Sequence, residues 1–307
     1  MNGYYGFYHD NLTRRGRLMI QQALNALQLG SIYALIALGY SMVYGVLRLI
    51  NFAHGDIFMV GSYIALYFAV KLNLGAPLTV LATMAAAAFL GVLIERIAYR
   101  PLRSAPRVSA VITALGVGIF LETFTLAVVG PQPQAFPELL PKIIYKFDGI
   151  RTSSTQLTII LLSFVLMVAL DQFVQRTRTG MAMRALSWDL HLVSLMGVDI
   201  DRIVSITFAL GTSLAAVAGI FVGLAYPVID PYMGIMVGWK AFIAAVVGGI
   251  GSVRGAMAGG YILGAIEILA VANLPSTYRD MIAFAILLFI LLVKPSGFFG
   301  SPVSKKV

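Results

Sequence analysis

The chain has 307 residues, of which 59% are apolar and only 11% are charged, and its formal net charge is +9. Soluble domains carry about 25% charged residues, and a soluble protein must still cover its surface with polar groups. The composition therefore excludes a soluble enzyme, a disordered chain and a nucleic-acid-binding protein as leading interpretations. It favours a protein embedded in membrane lipid, where the basic excess meets anionic head groups.

Catalytic chemistry finds little support in the sequence. Cysteine is absent and the three histidines are widely separated, which excludes thiol nucleophiles and leaves little for a metal site. Neither a GxSxG elbow nor a GxxxxGK[ST] nucleotide loop occurs. We therefore expect a protein that is not an enzyme and binds no cofactor or metal itself.

Apolar runs recur along the whole chain, and about 20 apolar residues suffice to cross a bilayer as a helix. Hydrocarbon offers no partner to backbone polar groups, so each crossing must be helical. We predict a single all-α domain over 1–307, a polytopic transmembrane helix bundle of eight or nine spans with broken helices. The runs are Leu18–Leu47, Phe52–Val70, Pro77–Ile97, Val108–Gly130, Leu157–Val174, Ile203–Tyr226, the short Met236–Ile250, Ala256–Ala272 and Met281–Val293.

Three stretches lie outside the apolar runs: an N-terminal extension 1–17, a proline-rich loop 131–155, and a loop 175–202. Basic residues favour the cytoplasmic side, and they cluster at 96–107 and 176–184. Both clusters are therefore predicted inside, and loop 131–155 outside. The basic N-terminus conflicts with this scheme, because three spans before Arg96 place it outside. We favour an outside N-terminus, and a re-entrant early segment is the alternative.

Two polar or flexible segments interrupt the apolar runs. Asn51, His54 and Asp56 lie within six residues, either as an interfacial turn or as a broken helix beside a translocation path. The cluster Gly248, Gly249 and Gly251 is interpreted as a break in a transmembrane helix, which can line a pathway or allow bending.

Several intramembrane residues have a structural and a functional interpretation. Glu122 and Glu267 lie inside apolar runs. We expect them to be structural carboxyl groups with bonding partners rather than proton carriers. Lys240 lies near a segment end and is predicted to extend to the interface. The GxxxG pairs are interpreted as sites of close helix packing; they are Gly219 with Gly223, Gly255 with Gly259, and Gly260 with Gly264.

The loop 175–202 alternates apolar residues with charged ones, as in Arg178–His191. A solvated connector is one interpretation. A docking helix, whose apolar side enters a groove of a cytosolic partner, is the other. We favour docking.

Four stretches together resemble the permease subunits of bacterial branched-chain amino-acid ABC transporters, most closely the LivH type. They are Gly30–Asp56, which ends in INFAHGD, Glu95–Arg103, which reads ERIAYRPLR, Gly180–Ile203, and Tyr226–Gly260, which contains VVGGIGS. The resemblance covers nearly the whole chain. INFAHGD and VVGGIGS are specific in combination, with the loop between them.

The resemblance implies a multi-pass inner-membrane importer of leucine, isoleucine or valine that works by alternating access. Its expected partners are a second permease subunit, two cytosolic ATPase subunits that bind the ATP, a periplasmic amino-acid-binding protein and membrane lipid, with no nucleic acid. The residues that match the family's coupling loop are Gly180, Arg184, Ala185, Asp189 and Gly197. The family's EAA triplet is replaced by Ala185-Leu186-Ser187.

The candidates for a translocation path are the residues of the two interrupting segments, Asn51, His54, Asp56, Gly248, Gly249 and Gly251. Other functions stay open at this point: an ABC permease for urea or short amides, and a proton-coupled secondary transporter that uses Glu122 or Glu267. A channel and an intramembrane enzyme are further rivals.

Overall fold

A computed structural model describes residues 2–103, 105–147, 149–188, 193 and 195–300, and side chains from residue 16 onward except that of residue 107. Within these residues, ten α-helices form the bundle: α1 (Asn2–Leu47), α2 (His54–Val70), α3 (Ala76–Ile94), α4 (Arg107–Val129), α5 (Ser154–Arg176), α6 (Arg178–Leu186), α7 (Ile200–Ala225), α8 (Met233–Gly248), α9 (Val253–Asn273) and α10 (Tyr278–Val293). A π-helical turn (Glu95–Tyr99) and a 3-10 turn (Arg100–Leu102) extend α3. Helix α1 includes residues 2–17 of the predicted extension.

Every predicted apolar run corresponds to one of these helices, so a helical membrane bundle is confirmed. The predicted count of eight or nine spans is not confirmed. Six described helices are long and apolar enough to cross a membrane, whereas α2 and α8 are apolar but shorter. The shortness of α2 and α8 reflects where they begin, which is inside the bundle.

Two small antiparallel ribbons depart from the all-α prediction. Strands β2 (Ile144–Phe147) and β3 (Ile150–Ser153) form a hairpin in the proline-rich loop. Strand β1 (Gln134–Ala135) pairs with β4 (Val228–Ile229). The pairing satisfies backbone groups that no helix uses, and β1 finds its partner far along the chain, where sequence periodicity gives no signal.

Helices α1 and α7 occupy the centre of the bundle. In α1, 89% of the most apolar stretch is buried, compared with 22% in α4. Helix α1 packs most extensively on α9, and also on α7 and α8. Helices α3, α4 and α5 are largely exposed on their apolar surfaces, as expected for elements that contact lipid or another subunit.

Glycines bring the central helices into close contact, which confirms the packing interpretation of the GxxxG pairs. A β-carbon at Gly264 of α9 would lie 2.5 Å from the backbone nitrogen of Gly30 in α1. Gly219 packs on α2 at Phe58 and Ser62. Approach this close requires the absence of a side chain, so the glycines determine the distances between helix axes.

The glycine cluster is a turn between two helices, so its interpretation as a break within one helix was wrong. Helix α8 ends at Gly248 and α9 begins at Val253, and the two helices run antiparallel. Gly249 and Gly251 have φ angles of +107° and +91°, which only glycine adopts readily. The backbone nitrogens of Phe298 and Phe299 donate to Val247 and Gly248, so the C-terminal segment covers this turn.

Lys240 does not extend to the interface as predicted; it is buried in an ion-pair cluster. Its Nζ lies 3.2 Å from Oε1 of Glu267 and 2.6 Å from Oδ1 of Asp280. Arg279 Nε lies 2.6 Å from Oε2 of Glu267, which also accepts a hydrogen bond from the Tyr33 hydroxyl. Glu267 is fully buried between two cations, as expected for a structural carboxylate.

The bundle has two distinct ends. At the hairpin end, the backbone nitrogen of Arg151 donates to Gln21 of α1. At the opposite end, called the α6 end, Arg48 after α1 donates to the carbonyl of Ser187. The N-terminal part of α1 therefore lies on the same side of the bundle as loop 131–155.

Gly264→Val is expected to destabilise the fold by about 1–3 kcal/mol, because the added side chain overlaps the α1 backbone. Thermal unfolding of the purified chain in detergent measures this. Gly116→Val in α4 is the matched control, since a β-carbon at Gly116 would have no atom of a neighbouring element within 4 Å. Equal melting temperatures for the two variants would contradict the packing role.

Glu267→Gln is expected to cost about 3 kcal/mol of stability, since it removes the negative charge between two buried or half-buried cations. The control is Arg254→Gln, which breaks the more exposed pair with Asp171 and should cost much less, because solvent screens such a pair. The unfolding midpoints of both variants measure the stability that each one loses. Equal losses would show that the cluster adds no more than a surface pair.

Candidate functional site

A cavity of about 150 Å³ lies where the two short helices begin. His54 at the start of α2 packs on Gly39 of α1, eight residues or about 12 Å of helix before α1 ends. The first turn of α2 packs at Gly55 against Gly234 and Gly238 of α8. The cavity is lined by Tyr40, Phe52, Gly55, Asp56, Leu115, Gly118, Ile119, Glu122, Gly234, Ile235, Gly238, Trp239 and Phe242.

Asp56 is the most buried charged residue of this cavity, with 9% of its surface exposed. Its carboxylate sits between two glycines: a β-carbon at Gly118 of α4 would lie 2.5 Å from Oδ2, and one at Gly234 of α8 would lie 3.0 Å from Oδ1. Asp56 lies in the first turn of α2, where the positive end of the helix dipole favours a carboxylate.

Asn51 and His54 do not line the cavity, although both were predicted beside the path with Asp56. The side-chain oxygen of Asn51 accepts hydrogen bonds from the Tyr99 hydroxyl at 2.8 Å and from the Ala53 nitrogen at 3.1 Å. His54 is fully buried, with its ring 4.8 Å from that of Tyr40. Both residues hold the segment that leads into α2.

The glycine path candidates also lie elsewhere. Gly248 and Gly249 contact Gly255 and the C-terminal segment, and Gly251 lies beside Tyr44 and Gly45 at the end of α1. Of the six path candidates, the structure brings only Asp56 to the cavity.

Sequence reasoning missed most of the cavity lining. Phe52, Trp239 and Phe242 form an aromatic cluster with ring centroids 5.8–6.1 Å apart. In an apolar sequence, such rings cannot be told from lipid-facing ones. Glu122 was noticed as an intramembrane carboxylate, and the available signal was its charge within an apolar run.

At the α6 end, the predicted coupling loop contains a short amphipathic helix. The Thr177 hydroxyl accepts from the Gly180 nitrogen at 3.0 Å and caps α6. Gly180 packs on the last turn of α5, and the Arg184 guanidinium donates to the carbonyl of Val174. Ala185 is half-buried on the same helix. Asp189, the remaining candidate before Gly197, lies outside the described residues.

Large apolar side chains on and after α6 point away from the bundle. Trp188, Leu195 and Met196 are 86%, 85% and 80% exposed. By contrast, Met183 and Leu186 of α6 are buried. Gly197 has a φ of +77° and forms the bend before α7. The helix thus buries apolar side chains within this chain, whereas the segment after it leaves large apolar side chains uncovered.

An ion-pair network joins the start of α7 to the turns after α3. Arg100 and Arg103 both pair with Asp201, and Arg103 also pairs with Glu95. Glu95 is fully buried and accepts a hydrogen bond from the Ser205 hydroxyl at 2.7 Å. A wide hollow of about 630 Å³ opens beside this network, lined by Val92, Arg96, Arg100, Asp199, Asp201, Arg202, Ser205, Ile206 and Ala209.

Comparisons with known proteins identify a family. Residues 22–291 match the family described as "Branched-chain amino acid transport system / permease component". The chain is 43% identical to the high-affinity branched-chain amino acid transport system permease protein LivH of Salmonella typhimurium, over 94% of this chain and 97% of the relative. It is 41% identical to the permease protein BraD of Pseudomonas aeruginosa, over 94% and 98%.

A solved structure, PsaBC from Streptococcus pneumoniae in complex with Fab, aligns with a TM-score of 0.47 and 13% identity, over 89% of this chain and 91% of that chain. The family match spans most of the sequence, and the relatives align over nearly their full lengths. This chain has several apolar helices that are long enough to cross a membrane. The chain is therefore a multi-pass membrane protein that belongs to the permease components of branched-chain amino acid transport systems.

Proposed function

We propose that this chain forms part of the translocation path of an ATP-driven importer for leucine, isoleucine and valine, and that α6 couples it to cytosolic ATPase subunits. The observation that carries the coupling role is the group of exposed apolar side chains at Trp188, Leu195 and Met196. Apolar anchors of this kind are typical of protein interfaces. They follow a helix that is itself fixed to the bundle.

Two sets of contacts support transmission from α6 into the membrane. Arg184 ties α6 to the end of α5, and Arg48 ties the end of α1 to Ser187. The ion pairs of Asp201 connect the start of α7 to the turns after α3. A displacement of the loop by a partner therefore reaches four helices through direct contacts. ATP shifts the bundle between inward- and outward-facing states to the extent that these contacts differ between the states.

We assign each expected partner to one surface of the chain. The ATPase subunits bind the α6 end, which lies in the cytoplasm, and supply the ATP sites, so that this chain itself binds no cofactor. Helix α4, the least buried of the long apolar helices, forms one wall of the cavity. A second permease subunit covers this wall. A periplasmic binding protein meets the hairpin end, in a complex located in the inner membrane.

A proton-coupled secondary transporter is the rival. It requires a carboxyl that can release and rebind a proton along the path. Glu267 is poorly suited, because Lys240 and Arg279 pair with it inside the bundle. Glu122 is the remaining candidate for a proton carrier, since it lines the cavity and is only half-buried.

Reconstitution into liposomes distinguishes the two mechanisms. The complex with its ATPase subunits and binding protein is expected to accumulate leucine only when ATP is supplied, because energy enters through the partners. The chain alone is expected to accumulate none under a pH gradient. Accumulation of leucine by the lone chain would overturn the proposal.

Trp188→Ala tests the docking surface. Loss of a central aromatic anchor typically costs about 2 kcal/mol, which is roughly a 30-fold loss of affinity for the ATPase subunits. Co-purification and ATP hydrolysis stimulated by the binding protein are the measurements. Phe147→Ala is the control for co-purification of the ATPase subunits, since Phe147 is comparably exposed at the opposite end. Unchanged assembly and stimulation in the Trp188 variant would assign the loop the role of a connector.

A further inference from the structure

We propose that the cavity between α2, α4 and α8 is a substrate site in which Asp56 and Glu122 bind the α-ammonium group of the transported amino acid. The inference rests on the proposed function and deepens it. It gives this chain a part in choosing the substrate, in addition to passing on what a binding protein delivers.

Asp56 differs from the other buried carboxylates of the described chain. Glu95 is paired with Arg103 and Ser205, and Glu267 is paired with Lys240 and Arg279. Oδ1 of Asp56 is buried without a hydrogen-bond partner among the described residues, and the residue lines a cavity. A buried carboxylate is costly unless it is paired, so the cavity is suited to a cationic group.

Glu122 adds a second negative charge to the same cavity. It lies on α4 and interacts electrostatically with Asp56. The charged residues among the cavity's described lining are these two, and both are acidic. Repulsion between like charges is relieved when a cation binds between them. The pair therefore favours an ammonium group over any neutral or anionic group.

The remaining lining suits an aliphatic amino acid. Leu115 and Ile119 provide apolar surface on α4, and the aromatic cluster of Phe52, Trp239 and Phe242 faces the cavity from α8 and the segment before α2. Aromatic faces attract cations as well as apolar groups. The volume of about 150 Å³ is well below the roughly 300–1,000 Å³ of typical drug-sized sites, so the ligand is a small molecule.

This chemistry separates the substrates that the sequence left open. Urea and short amides carry no positive charge and leave both carboxylates unneutralised. An α-amino acid supplies one ammonium group and, for leucine, isoleucine or valine, a branched aliphatic side chain. The cavity therefore favours amino acids within the proposed importer.

The first experiment measures binding of radiolabelled leucine to the assembled transporter complex in nanodiscs, without binding protein or ATP. Two leucine analogues serve as competitors: 3-methylbutylamine keeps the ammonium group, and 4-methylpentanoate keeps the carboxylate. We expect saturable leucine binding, and we expect the amine to displace leucine at least tenfold better than the acid does. Absence of saturable binding, or competition by the acid that equals or exceeds that by the amine, overturns the proposal.

The second experiment compares isosteric variants in the same assay. Asp56→Asn and Glu122→Gln are each expected to weaken leucine binding at least tenfold. Glu138→Gln, which removes an exposed carboxylate in the loop after α4, is expected to leave it unchanged. If the Asp56→Asn variant fails to assemble, leucine binding by the Glu122→Gln variant tests the proposal, because Glu122 is half-buried and its replacement disturbs packing less. Wild-type affinity in assembled variants contradicts the inference.

Failure of this inference is distinguishable from failure of the proposed function. A complete complex that accumulates leucine with ATP, yet shows no ammonium-dependent binding, removes only the substrate site. A complex that accumulates no leucine removes the function itself.

Discussion

The structure depends on one constraint: a helix that begins inside a membrane protein must have its first backbone groups surrounded by protein. Helices α2 and α8 both begin in this way, and their first turns lie against each other at glycines. Lipid cannot hydrate free amide groups, so these ends require the central helices around them. Gly55, Gly234 and Gly238 allow a backbone contact that any side chain would prevent. The cavity, the position of Asp56 and the burial of α1 all follow from this arrangement.

Apolar run length was sufficient to predict the helices, because each crossing is local in sequence. The same reasoning placed Asp56 beside a break, since a charge within an apolar segment is itself a signal. It could not show that the neighbours Asn51 and His54 do not line the cavity, because their partners Tyr99 and Tyr40 lie on other helices.

Contacts between distant parts of the chain account for the other differences. Lys240 lies near the end of an apolar run, but Glu267 and Asp280 hold it inside through ion pairs that span 27 and 40 residues of sequence. Glycine runs look alike whether they interrupt one helix or connect two, so the turn after α8 was mistaken for a break. The ribbon of β1 and β4 joins residues separated by five described helices and strands along the chain, a pairing that no local pattern encodes.

The central position of α1 has a consequence for biosynthesis. Helix α1 leaves the ribosome first, yet the helices that bury it, α7 and α9, come much later in the chain. At about 5–20 residues per second, some tens of seconds separate the insertion of α1 from the arrival of α9. During that interval, the close-packing glycines of α1 face lipid or the insertion machinery, and the helix awaits a neighbour that has not yet been translated.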